Sequence, residues 1–169
     1  PLVLYTPRAF AEVMRDAQFS TGLYYGIVLA LLFYNLVLWL MLRDSGYFWY
    51  LLHTGAFGLV LFTLNGYGFE YFWPNSAWLA DASVPLSICL ALVGMQLFTR
   101  SFLELQERWP RGNLVSLMVT GFFVVLGIAS FWLPYSTATP LASRAVLAGV
   151  VWIMVATVVM LRRGYKPAR

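Results

Sequence analysis

The chain has 169 residues, 61% hydrophobic and 11% charged, with a formal net charge of +4 and a mean hydropathy of +0.75. Soluble domains carry about a quarter charged residues, so a water-soluble core is excluded. Five apolar segments, each long enough for the roughly 20 residues that cross about 30 Å of hydrocarbon, occupy most of the length.

In chain order, Leu2 to Tyr5 reads as a short strand, the end of a domain lying upstream. This start has neither the charged n-region nor the h-region of a cleavable signal peptide, and it opens on Pro1 rather than Met, so a longer parent polypeptide is expected. Thr6-Pro7 has the hydroxyl and proline of a helix start. Phe10, Val13, Met14 and Ala17 then follow helical spacing opposite Arg8, Glu12, Arg15 and Asp16, which predicts an amphipathic linker helix over residues 6–19.

The transmembrane domain is expected over residues 20–169, with crossings at about 22–42, 47–64, 81–98, 113–133 and 145–161. Arg43 to Gly46 is a tight turn, which makes the first two crossings antiparallel neighbours. Tyr47 to Tyr50 and Tyr67 to Trp73 read as aromatic belts at opposite interfaces. Pro85 sits in the first turn if Asp81 caps the third helix, or inside the helix if it starts at Asn75 or Ser76; both remain open. Beyond Thr99 the i, i+4 pair Glu104 and Arg108 predicts a continued helix that Pro110 to Gly112 ends. Pro134 to Pro140 reads as a short outer loop.

Eight of the eleven Lys and Arg residues fall in alternate gaps: Arg43, then Arg100, Arg108 and Arg111, then Arg162, Arg163, Lys166 and Arg169. Basic residues stay cytoplasmic during insertion, so the N-terminus is expected outside and the C-terminus inside. The fold class is an all-α polytopic transmembrane bundle. Its basic balance meets lipid headgroups, and no nucleic-acid partner is expected.

Catalytic and metal chemistry find little material. No Asp, Glu, Lys or Arg lies near mid-membrane, where proton-coupled carriers generally keep a titratable group. His53 is the sole histidine and Cys89 the sole cysteine, too few ligands for a metal site, and no cofactor is expected. A hydrogen-bonded interfacial role for His53 is favoured over proton sensing. Asn35 and Gln96 are read as amides fixing helix register rather than as ligand contacts. The outer gap after the second crossing holds Asn65 and Glu70, the latter its single charge, within an aromatic loop read as a belt rather than a ligand platform. Gly22, Gly26 and Ala30 in the first crossing, and Ala145 and Gly149 in the fifth, form stripes of small residues expected to pack helices within the chain, with a homodimer as the lesser alternative.

Gly22-Leu-Tyr-Tyr-Gly26 and Leu32-Phe-Tyr-Asn35 are followed by Leu42 to Tyr47, Leu64 to Phe69, Trp73 to Ser76, Phe98 to Leu103, Leu133 to Tyr135 and Arg162 to Arg169. In order and spacing these resemble the bacterial seven-transmembrane receptors with diverse intracellular signalling modules, over roughly Thr6 to Arg169. The resemblance implies a periplasmic carbohydrate-binding-like β-domain upstream, ending at residues 1–5, and seven helices. It also implies a cytoplasmic output module of the same polypeptide: a diguanylate cyclase, a histidine kinase or a phosphatase. Two helices and the output would then lie beyond this chain, which itself carries no catalytic constellation. The expected role is a sensory transmembrane domain of the bacterial inner membrane; the rival is a small-solute transporter or channel subunit.

Overall fold

Pro7 begins a helix that runs without interruption to Leu42, α1 (Pro7–Leu42), 36 residues long. At about 1.5 Å per residue it reaches about 54 Å, well beyond the roughly 30 Å of a bilayer core. Linker helix and first crossing are therefore one continuous element. The computed structural model describes residues 7–163, with side chains from Glu12 onward except Val13 and Ala17. The expected strand, the Thr6 cap and Lys166 and Arg169 lie outside the described residues. So does most of the linker's apolar face; Met14, its described member, is exposed.

The chain reverses at Arg43, whose φ of 51° is left-handed, and at Asp44, whose carboxylate accepts from the Gly46 N–H at 2.7 Å. This cap satisfies an orphan donor at the start of α2 (Ser45–Leu64). Gly66, at φ 82°, makes the next turn, where a side chain would be strained, and leads into a π-helical turn at Gly68–Phe72. Ser76 Oγ accepts from the Leu79 N–H at 3.3 Å and opens α3 (Ala77–Phe102). The third helix thus starts at the earlier of the two possible places. Asp81 lies inside it rather than capping it, and Pro85 is internal, leaving the Asp81 carbonyl without its helical donor.

The expected helical extension past Thr99 does not form as one piece. Glu104 adopts a left-handed φ of 49°, a short α4 (Leu105–Arg108) follows, and Glu104 still pairs with Arg108 at 2.6 Å. Pro110 does not end a helix; it begins α5 (Pro110–Ala129), where its missing N–H costs nothing. That helix stops at Ala129 rather than Leu133. Residues 135–140 are not a loop but the first turns of α6 (Tyr135–Arg162). Thr137 Oγ1 donates to Pro134 O at 2.9 Å and Ser143 Oγ to Thr139 O at 2.9 Å, while Thr139 Oγ1 is buried without a partner among the described residues.

Residues Met14–Leu42 of α1, together with α2, α3, α5 and α6, give five helices long and apolar enough to cross a membrane, and the described residues contain no strand. α3 is the hub, packing on α2, α5 and α6, whereas α1 packs on α2 alone. The core joins Cys89 and Leu92 of α3 to Phe123 and Leu126 of α5 and Ala142 and Ala145 of α6. Lipid tails are as apolar as these side chains, so close approach rather than water exclusion holds the helices together. The buried Ala138, Ala142, Ala145, Gly149 and Ala156 give α6 that approach.

Candidate functional site

Antiparallel neighbours bring alternate gaps to the same end of the bundle. At one end Ser45 Oγ lies 3.3 Å from Ser101 Oγ, and Arg100 donates from Nε to Asn113 Oδ1 at 2.5 Å and from Nη2 to Gln106 Oε1 at 3.1 Å. Trp109 stacks on Trp152 with centroids 6.1 Å apart, while the Arg163 guanidinium lies 5.3 Å over its ring, a cation–π contact. Arg43, Arg100, Arg108, Arg111, Arg162 and Arg163 therefore share this end of the described structure.

At the opposite end, Asn65 Nδ2 donates to Tyr25 Oη at 3.1 Å. The Tyr25 ring sits edge-on to Phe62 at 6.1 Å and to Tyr67 at 6.0 Å, and Phe62 meets Phe72 at 5.2 Å. Edge-to-face and offset ring pairs at these separations favour one another beyond simple burial. The aromatic loop is thus folded against α1, tying the first crossing to the end of α2. Glu70 is exposed beside it.

Between the two ends α1 meets α2 through Val28 and Leu32. A Cβ on Gly58 would lie 3.1 Å from Val28 Cγ1, and one on Gly55 would lie 3.6 Å from Leu32 Cδ2. The packing expected of Gly22, Gly26 and Ala30 is not made within the described residues. All three are exposed, and a Cβ on Gly22 or Gly26 would meet nothing within 4 Å. The helix turns its larger residues to the glycines of α2, the reverse of the expected fit. Asn35 does face inward, 7% exposed, and its Nδ2 donates to the Leu31 carbonyl of its own helix at 2.8 Å.

The closest crossing joins α2 to α3. A Cβ on Gly94 would lie 2.7 Å from the His53 backbone nitrogen and 2.9 Å from its Cα, so only a glycine permits this approach. The His53 ring then spans the crossing, with Nδ1 2.8 Å from the Ala91 carbonyl and its face stacked on Phe57 at 6.4 Å. A carbonyl only accepts, so Nδ1 carries the proton. Gln96 lies one interface further, fully buried, with Nε2 3.3 Å from the Gly149 carbonyl of α6 and Oε1 without a partner among the described residues. Ala145 and Gly149 lie in this α3–α5–α6 core, where a Cβ on Gly149 would be 3.1 Å from Phe123 Cζ.

Asn35, His53, Gln96 and Asn65 therefore lie at separate places on the helices, with Glu70 exposed in the loop, and are not gathered around one space. No group of three His, Cys, Asp or Glu that could hold a metal ion occurs among the described residues. Gly94, Tyr25 and Trp109 were not singled out in the sequence, because their importance depends on which helices touch.

Membrane-length helices round a buried hub, with polar groups spent on individual helix crossings, define a polytopic membrane domain. The chain belongs to the 7TM diverse intracellular signalling family, whose model matches residues 17–169. It is a transmembrane sensory domain of a signal-transduction protein, in a family whose membrane domain is not itself catalytic. Neither the curated proteins nor the solved structures yield a match.

Proposed function

We propose that this domain relays a periplasmic signal across the bacterial inner membrane to a cytoplasmic output module of the same polypeptide, a diguanylate cyclase, histidine kinase or phosphatase. The observation that carries this reading is the continuity of α1. One helix of 36 residues joins the linker region to the far end of the bundle and, among the described helices, packs on α2. A displacement imposed on its N-terminal part by an upstream domain has no break in which to dissipate, and it reaches the hub through Val28, Leu32 and the Tyr25–Asn65 clasp. The orientation is supported by the six arginines at the Arg100 end, which belong on the cytoplasmic side. The same positive-inside logic puts the Tyr25 clasp on the periplasmic side, near the source of the signal.

A ligand shifts such a relay only by its differential affinity for the two arrangements, so rigidity between source and bundle matters. Inserting four Gly residues after Gln18 in the full-length polypeptide is expected to uncouple output from the upstream domain, as glycine destabilises helix interiors by roughly 1 kcal/mol each. Output that still follows the upstream domain would sink the relay.

A further inference from the structure

A small cavity of about 250 Å³ lies where the start of α3, the turn after α5 and the start of α6 come together. Trp78 and Asp81, three residues apart and therefore neighbours on the surface of α3, line it with Phe131 and Trp132 of the turn and Tyr135 of α6. The Trp78 Nε1–H donates to the Phe131 carbonyl at 3.0 Å, and the two rings sit 5.6 Å apart. This bond holds the start of α3 to the end of α5 and sets the rings in place.

An interfacial belt accounts for the rings, but it does not call for Asp81 among them. Aromatic faces are negative and the carboxylate adds a full negative charge, yet no Lys, Arg or His lines the cavity. Asp81 is exposed and makes no ion pair among the described residues. The negative end of α5 and the positive end of α6 both reach the cavity and oppose one another, so the carboxylate sets its sign. The Ser130 hydroxyl is already spent, donating to the Gly127 carbonyl at 2.6 Å. Rings grouped with a carboxylate are the means by which proteins hold organic ammonium ions. A volume below the roughly 300 Å³ at which pockets for drug-sized ligands begin limits the guest to a small one.

We infer that this cavity binds a small organic ammonium ion, free or as the headgroup of a phosphatidylethanolamine lipid, with Asp81 as counter-ion and the rings of Trp78, Phe131, Trp132 and Tyr135 beside the cation. The bound ion would join the ends of α3, α5 and α6. Only the side on which the cavity opens, the outer one, rests on the orientation proposed above.

The test uses the full-length polypeptide carrying fluorotryptophan, in phosphatidylglycerol nanodiscs, which leave both faces open. The fluorine NMR signals of Trp78 and Trp132 are assigned by their loss in Trp78→Phe and Trp132→Phe. Choline is expected to shift both signals saturably, and its uncharged isostere 3,3-dimethylbutanol is expected to leave them in place. Asp81→Asn should weaken choline binding at least several-fold, while Asp81→Glu should keep most of it. No response to choline, an equal response to the alcohol, or undiminished binding in Asp81→Asn would overturn the proposal. If Asp81→Asn fails to fold, Trp132→Leu replaces it, at a ring 79% exposed; it should weaken the response of Trp78, and an unchanged response would overturn the proposal. Nanodiscs containing phosphatidylethanolamine separate the two sources. Signals already shifted and insensitive to choline identify the lipid headgroup, and an unchanged choline response identifies a free amine. None of these readouts involves output, so failure here leaves the relay standing, and failure of the relay leaves this site standing.

Discussion

α1 and α3 are both long apolar helices, yet 56% of the membrane window of α3 is buried within the described structure against 6% of that of α1. The difference does not come from hydropathy, which is higher for α1. It comes from shape: α3 places Gly94 and Ala91 where neighbours approach, while α1 leaves Gly22 and Gly26 facing outward. In a membrane, where apolarity itself drives no association, a helix is central because its surface admits backbones. One that packs on a single neighbouring helix has fewer buried contacts to break when it moves.

Substitutions that probe each side of this contrast should separate widely. Phe123→Ala empties the fully buried contact between α5, α3 and α6 and should cost about 3–5 kcal/mol, read as a lowered unfolding midpoint in detergent. Phe33→Ala on the free side of α1 should leave that midpoint unchanged.

A smaller and more pointed series uses glycines. Gly94→Ala drives a methyl into the His53 backbone, which cannot swing aside, and should cost about 1–3 kcal/mol. Gly58→Ala meets the tip of Val28, at 3.1 Å, and should cost less; Gly26→Ala meets nothing and should be silent. A silent Gly94→Ala would remove the close α2–α3 crossing from the account. Smallest of all, Tyr25→Phe keeps the ring cluster but loses the hydrogen bond from Asn65, about 0.6 kcal/mol for an interhelical bond of this kind. It should loosen α1 from α2 without altering the unfolding of the hub, a change visible as broader label distances between α1 and α2.

Much of this contrast was out of reach of the sequence, for definite reasons. The five spans, the Arg43–Asp44 turn, the all-helical class and the family were legible, because apolar length and turn chemistry are local properties. The Glu104–Arg108 pair was legible as well, but the left-handed Glu104 that separates it from α3 was not. Pro110 was misread for a related cause: a proline that follows one helix and a proline that starts the next look the same in a sequence. The start of α6 was missed because Ser136, Thr137, Thr139 and Pro140 have loop chemistry, while in the structure Thr137 bonds back to Pro134 O and Ser143 to Thr139 O. The stripe of Gly22, Gly26 and Ala30 has the right spacing for packing, but spacing does not say which side a neighbour takes. Gly94 shows the converse, an unremarked glycine that fixes the tightest crossing.

The account turns on α1 moving against α2, and a reversible lock tests that most directly. A sulfur in place of Val28 Cγ1 would lie 3.1 Å from a Cβ on Gly58, a separation compatible with disulfide geometry. The pair Val28→Cys with Gly58→Cys, in the full-length polypeptide carrying Cys89→Ala, can therefore be closed by oxidation and reopened by reductant. With the disulfide formed, output is expected to stay at one level and to ignore the four-Gly insertion after Gln18, regaining its sensitivity on reduction. Output that responds to the insertion equally in the oxidised and reduced states would contradict a signal carried by α1 sliding on α2.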